Sequence, residues 1–140
     1  MADEEFSLSD NILSDIKLYI GIEPDENSFD NQITNIANTI FSTLQQEGVG
    51  DSTAIGGFVM NSKSTWDEFL GDGDSISLSN IITFVCTKTK LLFDPSGYGS
   101  ATLDAMGKYC DELEWRLYTM ADNKRIAKEK EKKSEVTKDE

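Results

Sequence analysis

The sequence predicts an all-α fold, a small bundle of about four helices with a long loop at residues 49–76. Three features support this. Apolar residues recur at helical spacing in separate stretches, glycines close the first two of them, and 140 residues with 38% hydrophobic content suit one domain with a modest core and no disulfide staples.

From Ser9 to Ile20, "SDNILSDIKLYI" sets Ile12, Leu13, Ile16 and Ile20 on one face, with Ser9 placed as N-cap and Gly21 as the stop. After the turn "EPDENS", Phe29, Ile33, Ile36, Ala37, Ile40 and Leu44 form a second buried stripe that Gly48 closes. Residues 49–76 are glycine-rich with scattered aromatics and no sustained period. They read as a loop in which Phe58–Met60 fits a short strand and Ser64-Thr65-Trp66-Asp67 has the form of a capping box opening one helical turn that ends at Gly71. Phe58, Trp66 and Phe69 argue against simple disorder, because large apolar groups need cover.

Residues 77–93 fit two periods. Leu78, Ile81, Ile82, Val85 and Leu92 suit a helix, whereas Ile82, Phe84 and Cys86 alternate like a strand; length favours the helix. At "LLFDPSGYGS" the apolar run stops. Pro95 disfavours helix at Asp94, and Ser100 is placed to cap the next helix, with Asp104 in its first turn. A phosphate loop would need a Lys and a Ser or Thr after its last glycine; Gly97 and Gly99 lack that Lys, so a helix-to-helix corner is expected. From Ser100 the 3-4 spacing of Leu103, Met106, Cys110, Leu113, Leu117 and Met120 makes a packing seam. The division that follows is a flexible N-terminus at 1–7, a helical domain at 8–120, and a charged helix extension or tail at 121–140.

Thirteen basic and 26 acidic residues give a net charge of −13, which speaks against an electrostatic nucleic-acid binder. Residues 121–140 hold seven bases and six acids, leaving six bases against twenty acids, a net −14, in the body. Cys86 and Cys110 lack the spacing of a zinc or redox pair and are expected as buried reduced thiols in a reducing compartment. No apolar stretch approaches the roughly 20 residues of a membrane span, and the first residues are acidic where a signal peptide is basic, so synthesis in the cytoplasm is expected.

Catalysis has little to work with. Histidine is absent, and Asp111, Glu112 and Glu114 alternate with seam residues as the solvated or partner-facing side of a helix. Asp72 and Asp74 in "GDGDS" lack the further carboxylates a calcium loop requires. No catalytic residue, metal site or cofactor is expected. Trp115 and Tyr118 fall off the seam, which fits either a second contact face or a widened core stripe.

Taken together, "LSDIKLYIGIEPDENSFDNQITNIANTIFSTLQQEGVG", then "LLFDP", then "ELEWRL" resemble the head-to-tail connector, or adaptor, proteins of tailed bacteriophages, from about Leu8 to Leu117. The resemblance implies a structural virion protein at the neck, a helical subunit that assembles with itself, commonly as a twelve-fold ring, beneath the portal protein. There it extends the DNA channel and docks a downstream neck or tail completion protein. Twelve copies at −13 total −156, a wall past which DNA slides without specific binding. On this reading Trp115, Arg116, Tyr118, Met120, Lys124 and Arg125 contact the portal, and Phe58, Trp66 and Phe69 of the loop contact a neighbouring or downstream protein. The rival class is an acidic inhibitor that mimics DNA, which would stay small in the presence of a portal ring where a connector would join it.

Overall fold

Helix α4, Ser75–Phe93, is the axis of the molecule, with α1 (Ile12–Ile20), α2 (Asp30–Gln46) and α5 (Ser100–Lys138) all packed on it. The short α3, Trp66–Leu70, and a 3-10 turn at Pro95–Gly97 complete the fold. This computed structural model describes residues 10–50, 58–70 and 75–138. The fold is all-α, and among the described residues there is no strand. Leu78, Ile81, Ile82, Phe84, Val85, Cys86, Thr87 and Thr89 are all buried, so α4 hides most of its circumference. A helix covered on several sides needs apolar residues at strand-like as well as helical spacings, which is why its period is ambiguous.

The helix ends follow local chemistry, with three shifts from expectation. Ser9 lies outside the described residues. The cap of α1 is Asn11, whose Oδ1 accepts from the Ser14 N–H at 2.9 Å. Ser64 does not cap α3: its hydroxyl accepts from the Asn61 N–H at 2.9 Å, and the Thr65 hydroxyl bonds Asp67 instead. The expected stop at Gly71 is outside the described residues. Ser100 is already the first residue of α5, so the Gly99 carbonyl takes the Leu103 N–H at 3.0 Å and Asp104 pairs with Lys108 at 3.2 Å.

At the end of α2, Gly48 adopts φ +88°. The Val49 N–H returns to the Leu44 carbonyl at 2.9 Å and the Gly48 N–H to Gln45 at 3.0 Å, the paired bonds of a Schellman stop. Two residues on, Gly50 has φ +102°, and a Cβ there would sit 2.9 Å from the Phe69 ring, so only glycine fits. The corner after α4 forms as the sequence indicates, with the Asp94 carboxylate accepting from the Ser96 N–H at 3.2 Å and Pro95 opening the turn.

Residues 58–60 are irregular rather than a strand. Their backbone donors are met by side chains of α2, Phe58 N–H by Gln45 Oε1 at 2.8 Å and Met60 N–H by Asn38 Oδ1 at 2.8 Å, which leaves no ladder for a strand to join. The following segment clamps the start of α1. The Ile12 N–H reaches the Ser64 carbonyl at 3.0 Å, Asn11 Nδ2 reaches the Ser62 carbonyl at 2.8 Å, and the Trp66 indole donates to buried Asp15 at 2.7 Å. The turn between α1 and α2 closes around Lys17, a buried ammonium 3.0 Å from Asp30 and 3.2 Å from the Pro24 carbonyl.

Burial pushes the Asp15 carboxyl above the ordinary aspartate range, with the Trp66 bond pulling the other way. The folded protein therefore holds this proton more tightly than the unfolded chain. Asp15's contribution is most favourable below the unfolded pKa of about 3.9 and declines as pH rises through the folded value. Asp15→Asn, which retains an acceptor for the indole, is expected to be more stable than wild type at neutral pH, with the gap closing below about pH 4. Urea melts at the two pH values measure this; a gap independent of pH would contradict it.

Candidate interaction surface

Helix α5 has two kinds of face. Cys110, Leu113 and Leu117 are buried against the bundle, Leu103, Met106 and Met120 are half-buried, and Ala121 is the last side chain packed on the core. Turned away from the seam, Trp115 is 65% exposed and Tyr118 47%. At positions i and i+3 they share one exposed flank of the helix and do not widen the core stripe.

Past Ala121 the helix leaves the bundle. Residues 123–134 are all exposed, and the span from Asp122 to Lys138 extends about 25 Å at the rise of an α-helix. A helix of that length is marginal alone in water. Side-chain pairs along it help: Arg125 forks between Asp122 and Glu129, each at 2.8 Å, and both acids hold its guanidinium proton more firmly than usual. Such exposed, solvent-screened pairs contribute too little to replace a packed face.

Of the residues expected to meet a partner, Trp115, Arg116, Tyr118, Lys124 and Arg125 are exposed, whereas Met120 is half-buried within the subunit, its sulfur 3.9 Å from Asn80 Nδ2. Arg116 is paired with Glu112 at 2.7 Å. Tyr118, Asp122, Lys124, Arg125 and Lys128 face Gln46, Glu47 and Gly48 across a cleft of about 500 Å³ where α5 leaves the end of α2.

The loop aromatics lie elsewhere than expected. Trp66 and Phe69 are fully buried and Phe58 is half-buried. Phe69 packs tilted against Phe41 at 4.6 Å and edge-on to Phe58 at 5.3 Å, and Phe41 meets Phe58 at 5.1 Å and Trp66 at 6.1 Å. The cover these rings need comes from the subunit itself, chiefly Phe41 of α2. Among the described residues of this segment, the large apolar side chain left to solvent is Val59, 70% exposed. A second exposed group was also missed: Leu18 (56%), Tyr19 (38%), Phe29 (43%) and Leu92 (54%), around the C-terminal ends of α1 and α4. Leu18 and Tyr19 were legible, since both fall off the α1 stripe. Phe29 and Leu92 sit on their predicted stripes but at helix ends, where the neighbouring helices stop.

Chemical reactivity is low. Both cysteines are free and buried, and burial pushes both thiols up, away from the thiolate that a nucleophile requires. Among the described residues no group of acids and cysteines could hold a metal ion, and no helix is long and apolar enough to cross a membrane.

A helical bundle with an aromatic flank turned outward and a charged helix standing clear of the core has the build of an assembly subunit. The chain belongs to the phage connector protein family, whose model, described as "Phage connector protein", matches residues 12–124. That match covers α1 through the first part of the projecting end of α5, and it bears out the connector resemblance carried by "LLFDP" and "ELEWRL". The family is structural rather than enzymatic. No curated protein and no solved structure matches the chain.

The two faces of α5 predict different responses to truncation. Leu117→Ala is expected to cost about 2–5 kcal/mol of folding stability, whereas Trp115→Ala should stay within about 0.5 kcal/mol. Chemical denaturation of the two variants measures this, and a large loss at Trp115 would place that ring in the core.

Proposed function

We propose that this protein is a head-to-tail connector that assembles as a ring beneath the portal of a tailed phage, extends the DNA channel and docks the next neck component. The projecting end of α5 carries this reading. Residues 123–134 are exposed on a charged helix that extends about 25 Å past Ala121, and such a segment suits a groove on another protein. Lys124 and Arg125 open that segment and form the portal contact. Trp115 and Tyr118, lower on the same helix, lie outside that contact and remain exposed aromatic groups of the kind that dominate interface energetics.

The charge supports a channel wall. A body carrying a net −14 repels phosphate and lets the duplex move without sticking. The acids of the assembled ring then face the lumen. A basic lumen in a reconstructed neck would refute this part.

Deleting residues 122–140 is expected to abolish binding to the portal ring of the source phage while leaving the melting transition of the bundle unchanged. Co-sedimentation with the portal and circular dichroism read the two effects. Undiminished binding would take the projecting helix out of the mechanism.

A further inference from the structure

Helices α1 and α5 both pack on α4, and each leaves large apolar side chains exposed. On α5 these are Trp115 and Tyr118, 65% and 47% exposed. On α1 they are Leu18 and Tyr19, 56% and 38% exposed, while Ile12, Leu13 and Ile16 fill the inner face. The Tyr19 ring is held in place: its hydroxyl meets Thr87 Oγ1 at 2.8 Å and Lys90 Nζ stands 5.7 Å from the ring centroid. The α1 edge is thus an apolar step with a cation beside it. On α5, exposed Asp111 lies one turn before Trp115 on the same flank, giving that edge an aromatic pair with an anion beside it.

We propose that these edges are complements, with Trp115 and Tyr118 of one copy seated on Leu18 and Tyr19 of the next and Asp111 facing Lys90. The inference rests on the ring-forming connector reading and names the surfaces that join its copies. The two edges are different surfaces of one subunit, so the contact is heterologous. Every copy offers one of each, and the series continues until rotation closes it; a self-matching patch would stop at a dimer. Fixed aromatic rings lose little entropy on docking. The match of cation to anion offsets, at the contact itself, the repulsion between bodies that each carry excess negative charge.

The test uses the full chain carrying Leu18→Cys and Trp115→Cys, singly and together, treated with a short flexible bismaleimide at a salt concentration that screens subunit repulsion, with and without a portal ring. Both positions are more than half exposed, and Cys86 and Cys110 are buried, so wild type sets the background. The double variant is expected to give a ladder of dimer, trimer and higher species. An equimolar mixture of the single variants should give dimers, and each single variant alone only monomer. Adding Lys90→Glu should cut the ladder roughly tenfold, and Asp111→Lys added to that should restore it. Dimers from Trp115→Cys alone, or no ladder under either condition, would overturn the proposal. Portal binding by wild type is read separately. A missing ladder with intact portal binding removes only this contact, whereas an intact ladder without portal binding removes the portal role.

Discussion

Burial of α4 on several sides is the constraint on which the rest of the structure depends. The chain is short, and a modest core must be shared among helices that are each too brief or too polar to be stable alone. Threading one apolar helix through the middle lets α1, α2 and α5 each bury a single stripe on a common partner. Each outer helix then keeps its opposite face free. The economy of the core and the supply of exposed surface are one fact seen from two sides.

The polar contacts hold this arrangement in register. Asn11, Asp15 and Ile12 at the start of α1 are tied to Ser62, Trp66 and Ser64, so the irregular segment before α3 is fastened across the end of α1. Lys17 and Asp30 close the turn into α2, and Tyr19 meets Thr87 of α4. Nearly all these groups are buried or half-buried, where an unpaired polar atom costs about 1–3 kcal/mol, so they select one packing rather than add much net stability. That rigidity suits a part that works by shape. It positions the flank of α5 and the edge of α1.

Much of the fold was legible because it rests on short-range rules. Gly21 and Gly48 stop their helices, the spacing of Cys110, Leu113 and Leu117 marks the seam of α5, and Asp94-Pro95 makes a corner. The exposed apolar surface was partly legible by subtraction: once a helix has assigned one stripe inward, large apolar residues off that stripe, such as Trp115, Tyr118 and Leu18, are left outside. The loop aromatics misled because subtraction fails without a period. Trp66 and Phe69 belong to no long stripe, and only their clustering with Phe41 shows that they are core.

The sequence by itself determined the helices, their stops, the charge division between body and tail, and the connector resemblance, because each depends on neighbours a few residues apart or on composition. Tertiary structure alone decided that α4 is central, that the 58–69 aromatics turn inward onto α2, that Phe29 and Leu92 emerge at helix ends, and that α5 leaves its core at Ala121. Those outcomes depend on which distant surfaces meet and where each helix outruns its neighbours. A one-dimensional pattern holds no record of that, because a buried stripe states that cover exists without saying what provides it or how far it extends.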